Sequence, residues 1–73
     1  MREWLIELRR SKGLTQTAVA EMAGISRAYY AQLESDQRNP SIKVAIRLAR
    51  LLAFDWTSFY EHNLLRSQED SEI

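Results

Sequence analysis

Residues 16–35 read QTAVAEMAGISRAYYAQLES, two patches of helical periodicity with a single glycine between them. Each patch is shorter than three turns, and helices that short are unstable alone in water. They persist only by packing on each other and on a shared core. Gly24 takes a positive φ without steric cost, so it ends the first patch and redirects the chain sharply into the second. Ala20 is small enough to let the second patch approach the first closely. Ile25 is predicted to drop into the core as an anchor. A chain built around such a unit is constrained to be helical, with further helices covering the pair.

The rest of the sequence agrees. At 73 residues the chain makes one small domain, marginally stable unless its core is well packed. It holds no cysteine, which excludes disulfides, thiolate zinc sites and thiol catalysis. Two glycines and one proline are too few for a many-turned β fold. No apolar run is long enough to span a bilayer and the N-terminus is not signal-like, so a soluble cytoplasmic protein without a membrane partner is expected.

Reading outward from Gly24, Met1, Leu5 and Leu8 give a helical stripe that Gly13 stops. Thr15 is placed as the N-cap of a second helix carrying Ala18, Val19, Met22 and Ala23. Ser26 caps a third, running to about Glu34. SDQRNPS is a polar loop, after which Ile42, Ala45, Ile46, Ala49 and Leu52 form the clearest amphipathic pattern in the chain. Asp55 looks like the cap of a short fifth helix with Trp56, Phe59 and Tyr60 on its apolar side. The expectation is an all-α, five-helix domain over residues 1–65, with an acidic, flexible tail over 66–73.

Sorted by angle, the third helix buries Tyr30 and Leu33 and turns Arg27, Ala28, Ala31 and Gln32 the other way, with Tyr29 on the boundary. Two alanines keep that outer face slim enough for a groove about 12 Å wide. Arginine forks onto guanine, glutamine pairs with adenine, and alanine meets a thymine methyl, so Arg27, Gln32 and Ala28 are candidate readers of base edges. The net charge is zero, which by itself disfavours a polyanion partner. Yet residues 1–50 carry nine Lys/Arg against five Asp/Glu, and residues 51–73 carry one against five. A basic body with an acidic end stays compatible with nucleic acid.

The pieces LRRSKGLTQ, AEMAGIS, YYAQLES, RNPS and AIRLARLL together resemble the lambda-repressor-like, Cro/repressor (XRE) helix-turn-helix family, from residue 5 to about 60. The resemblance implies a recognition helix around 26–34 in the major groove of double-stranded DNA and a homodimer on a palindromic operator. It places Arg27, Ala28 and Gln32 where the family reads bases. Thr15, Gln16, Ser26, Tyr29, Arg38, Asn39 and Ser41 fall on the side of the DNA backbone, Gln16 as a phosphate clamp. Arg9 and Glu34 match a pair that bridges the first and third helices. The sequence departs from the family at Asp36, where glycine is common, and at Tyr30, where a branched aliphatic is usual; the Tyr30 hydroxyl then has to reach water or find a partner.

His62 has no partner at metal-ligand or triad spacing, and no nucleophile with a base or phosphate-cradling glycine loop is present, so neither an enzyme nor a cofactor or metal is expected. Trp56, Tyr60, Leu64 and Leu65 are more apolar surface than the end of so small a domain needs, and are expected at a dimer seam. The expected function is a sequence-specific transcriptional regulator, a dimeric repressor. The alternative is an antitoxin-like or anti-repressor module that keeps the fold and engages a protein partner through its acidic C-terminal end.

Overall fold

The computed structural model describes residues 1–60. They form four α-helices, α1 (Glu3–Ser11), α2 (Gln16–Ala23), α3 (Arg27–Glu34) and α4 (Ile42–Leu52), followed by a 3-10 turn at Trp56–Phe59. The fold is all-α as expected, with the fifth helix reduced to that single 3-10 turn.

The starts of these elements follow from side chains. The Thr15, Ser26 and Ser41 hydroxyls accept from the backbone N–H of Ala18, Tyr29 and Val44, and the Asp55 carboxylate accepts from Thr57. Each cap satisfies an N–H that the helix itself cannot, which is worth about 1 kcal/mol.

All four helices stop in the same way. The residue after the last turn sits in the left-handed region, and the residue after it donates back five positions: Leu14 to Arg9, Ile25 to Ala20, Gln37 to Gln32 and Phe54 to Ala49. This is the Schellman closure, and glycine is its natural occupant. Gly13 and Gly24 fill two of the four; Asp36 (φ 66°) and Ala53 (φ 58°) fill the others. Asp36 therefore adopts the turn that the family's glycine would make. Aspartate tolerates this conformation better than alanine does. Ala53→Gly is expected to raise stability by roughly 0.5–1 kcal/mol, the relief at Ala53 outweighing glycine's greater freedom in the unfolded chain. Thermal unfolding reads this as a melting point a few degrees higher; a lower one means that the position carries no strain.

The core joins Leu5 of α1, Val19, Ala20 and Ala23 of α2, Tyr30 and Leu33 of α3, Ala45, Leu48 and Leu52 of α4, and Phe59. Trp4, Phe54 and Phe59 close one end through edge-on ring contacts, with centroids 5.1 to 5.6 Å apart. Ile25 is only half-buried and packs against this cluster rather than inside it.

Three expected core positions are exposed instead: Met1, Met22 and Ile42. α1 begins at Glu3, so Met1 lies outside the helix and has no face in common with Leu5. Ile42 opens α4 and Met22 lies one residue from the end of α2, where a helix overruns the core. Ile6 and Leu48 are buried in their stead.

Candidate nucleic-acid interface

α2 and α3 meet at Gly24, whose φ of 72° turns the chain between them. Ala20, 1% exposed, belongs to the core that the two helices share. From α4, Arg47 Nη1 donates to the Ala23 carbonyl at 3.3 Å and covers an otherwise unsatisfied acceptor at the end of α2.

The angle of α3 is set by a buried polar junction. Arg9 Nε donates to Glu34 Oε2 at 2.6 Å, and Arg9 Nη2 reaches Oε1 at 3.3 Å. Arg9 Nη1 also donates to the Leu14 carbonyl at 2.9 Å. Gln16 Nε2 donates to Glu34 Oε1 at 2.9 Å, so three elements converge on one carboxylate. Burial works against charge on Glu34, but the donors around it outweigh burial and hold its pKa below the ordinary glutamate value. The expected pair Arg9 and Glu34 is thus present, and Gln16 joins it. One N–H of the Gln16 amide is used on Glu34; a second remains for another acceptor.

Tyr30 lies at the same junction with its ring fully buried. Burial raises its phenol pKa, with Glu34 adding to the effect. The hydroxyl is close enough to Glu34 to feel its charge, yet it makes no well-formed hydrogen bond among the described residues.

Away from the junction, α3 presents part of the face expected of it. Arg27 and Ala28 are exposed. Tyr29, Ala31 and Gln32 are half-buried, so Gln32 sits nearer the shoulder of the helix than its crest. Among the described residues neither Arg27 nor the Gln32 amide has an ion-pair or hydrogen-bond partner. Thr15 and Ser26 are exposed, their hydroxyls engaged as caps.

The loop after α3 flanks this face. Arg38 stacks over the Tyr29 ring at 5.7 Å, and Arg38, Asn39 and Ser41 are all exposed. Pro40 is buried beneath them, its carbonyl accepting from the Tyr60 hydroxyl at 2.6 Å.

Sequence reasoning missed Arg2. It reads as a solvated N-terminal charge but is 7% exposed, and it reaches Leu33, Asp36, Arg38 and Asn39. No local signal marks it, because its partners lie 31 to 37 positions away. Of the expected dimer seam, Trp56 and Tyr60 are half-buried with rings 6.0 Å apart, while Leu64 and Leu65 lie outside the described residues, as do His62 and the acidic segment 66–73. No group of three or more metal-ligating side chains occurs among the described residues, and none of their helices is long and apolar enough to cross a membrane.

The family model described as helix-turn-helix matches residues 5–59. An uncharacterized HTH-type transcriptional regulator of Bacillus subtilis (strain 168), YqaF, is 48% identical over 61 residues, covering 84% of this chain and 80% of that protein. The immunity repressor protein of Bacillus phage phi105 is 32% identical over 65 residues, covering 89% of this chain and 45% of the phage protein. The HTH-type transcriptional regulator RamB of Mycobacterium tuberculosis is 33% identical over 67 residues, covering 92% of this chain but 13% of RamB. This chain thus spans most of the first relative and less than half of the other two. No solved structure gives a significant match.

Proposed function

Because the chain belongs to the helix-turn-helix family of DNA-binding transcriptional regulators, we propose that it is a cytoplasmic, dimeric repressor reading a palindromic operator through α3. The observation that carries this reading is the uncovered outer face of α3. Arg27 and Ala28 stand free on it, and Gln32, Tyr29 and the Arg38–Asn39 loop border it. A helix of that slimness enters the major groove, where Arg27, Ala28 and Gln32 meet base edges. Gln16, Tyr29, Arg38, Asn39 and Ser41, with the helix starts at Thr15 and Ser26, then face the phosphates and fix the register.

The name of the phage relative, an immunity repressor, favours repression over activation. Two copies joined through Trp56, Tyr60, Leu64 and Leu65 would set their recognition helices about 34 Å apart, one turn of DNA. Trp56 already borders a shallow groove with Ile46, Ala49, Arg50, Phe54 and Asp55, a surface on which a second copy can seat. Residues 1–65 form the DNA-binding unit and 66–73 an acidic extension.

The test is selection of bound sequences from a random oligonucleotide pool, followed by titration of the selected site. Arg27→Ala is expected to cost about 1–3 kcal/mol at that site, roughly 5- to 150-fold in affinity, and to relax the preference at one base pair per half-site. Unchanged affinity and an unchanged consensus would remove Arg27 from the reading face. A pool that yields no enriched sequence at all counts against the whole proposal.

A further inference from the structure

Arg2 is the one charged side chain of α1's approach that the fold buries, and its polar partners lie at the end of α3 or in the loop beyond it. Its backbone N–H donates to the Glu34 carbonyl at 2.8 Å. Its Nη1 donates to the Leu33 carbonyl at 2.5 Å and to the Arg38 carbonyl at 2.8 Å. Its Nη2 donates to Asn39 Oδ1 and lies 3.3 Å from Asp36 Oδ1. The guanidinium rests over the Phe59 ring at 5.2 Å, so the core supports it from below.

Three consequences follow for the loop. The Arg38 carbonyl is pinned, and the Arg38 side chain then lies over Tyr29. The Asn39 carbonyl oxygen is occupied, which turns its NH₂ donors outward, the end of the amide that a phosphate oxygen requires. The Asp36 carboxylate, 60% exposed beside the proposed phosphate-facing residues, gains a counter-charge. An unpaired carboxylate there would repel the DNA backbone.

We infer that Arg2 is a positioning residue: its guanidinium holds residues 36–39 in the conformation that offers Arg38 and the Asn39 amide to phosphate. It touches no DNA itself. A lysine does this only in part, because a single ammonium lacks the planar fork that spans two carbonyls and an amide. The inference rests on the DNA-binding reading of α3 and its flanking loop.

Two readouts separate the inference from that reading. The first is amide exchange in the free protein. The Gln37 N–H, bonded to the Gln32 carbonyl, reports loop order, and the Leu48 N–H reports the core. Arg2→Gln is expected to speed exchange at Gln37 about tenfold while Leu48 stays protected, the mark of a local opening. Equal protection at Gln37 in both proteins overturns the inference without any DNA.

The second is a double-mutant cycle on a short random-sequence duplex at low salt, where phosphate contacts supply the affinity. Arg2→Gln is expected to weaken binding roughly tenfold in the wild-type background, within the range of coupled neighbours, and clearly less in the Arg38→Ala/Asn39→Ala background, where only the uncovered Asp36 charge still acts. The same loss in both backgrounds means that Arg2 only stabilises the fold, and overturns the inference; so does no loss in either. Should Arg2→Gln fail to fold, Arg2→Lys replaces it, with a smaller loss expected and the same pattern across backgrounds. Wild-type protein that ignores the duplex overturns the functional reading instead, and the exchange experiment still decides whether Arg2 orders the loop.

Discussion

Glu34→Ala is expected to cost the domain most of its stability. Glu34 is 2% exposed and takes hydrogen bonds from Arg9 and Gln16. Truncating it strands the Arg9 guanidinium, itself mostly buried, without its anion. Losing one partner of a buried ion pair typically costs about 3–5 kcal/mol, because the remaining charge stays desolvated. A domain of this size has a total stability of roughly 3–9 kcal/mol, so the loss is most of what there is. Urea unfolding followed by circular dichroism measures it directly. A midpoint shifted by less than the equivalent of about 1 kcal/mol would show that Arg9 finds water and that the junction is not closed. Replacing both partners by apolar residues of similar volume, as in Arg9→Met/Glu34→Leu, should recover much of the stability, since the pair's Coulombic gain is offset by its desolvation.

The same carboxylate makes stability depend on acid. Its pKa in the fold lies below the ordinary glutamate value of about 4.3. The folded state therefore binds the proton more weakly than the unfolded chain. The contribution of Glu34 is complete above the unfolded pKa and is lost as pH falls through the folded one. Wild-type protein should lose stability on acidification below about pH 4. Glu34→Gln, which has no charge to titrate, should lose less over the same range.

Much of the local structure is legible in the sequence. Thr15, Ser26 and Asp55 each stand just before an apolar pattern as expected caps, and each proves to be one. Gly24 is at the turn, and Tyr30 and Leu33 point inward from α3 as their spacing predicts. These are local matters, decided within a few residues, and periodicity carries them. The misreadings fall where local pattern has no hold. Met22 and Ile42 satisfy the helical spacing but sit at helix ends, and spacing does not tell how far a helix runs past its neighbours. Arg2 is invisible for a stronger reason. Its burial depends on the first residues meeting the end of α3, a tertiary fact carried by the Glu34 and Leu33 carbonyls rather than by any side-chain code. Asp36 marks the middle ground. A family habit pointed to glycine there, and the backbone keeps glycine's conformation while the side chain serves as a partner for Arg2.

DNA affinity is expected to fall with salt along a slope that counts the cations on the interface. Each lysine or arginine charge brought onto the duplex, against a phosphate or in the groove between phosphates, contributes about −0.9 to the slope of log K against log salt. The proposed interface offers few such groups: Arg27 and Arg38 are its only cations, and Gln16, Tyr29, Asn39 and Ser41 are neutral donors that release no counterion. A dimer then engages about four charges, which gives a slope near −3.6 and roughly a 150-fold loss of affinity between about 50 and 200 mM salt. A monomer with two gives a slope near −1.8 and roughly a 12-fold loss over the same range. Titrations of a selected operator at several salt concentrations, with the oligomeric state measured in the same buffers, decide between the two slopes. A slope steeper than about −6 would require cations beyond the α3 face and its loop, and would move the interface elsewhere on the domain. A slope near zero would mean that phosphates are not what α3 meets, and would turn the uncovered face of Arg27 and Ala28 into a surface for another protein.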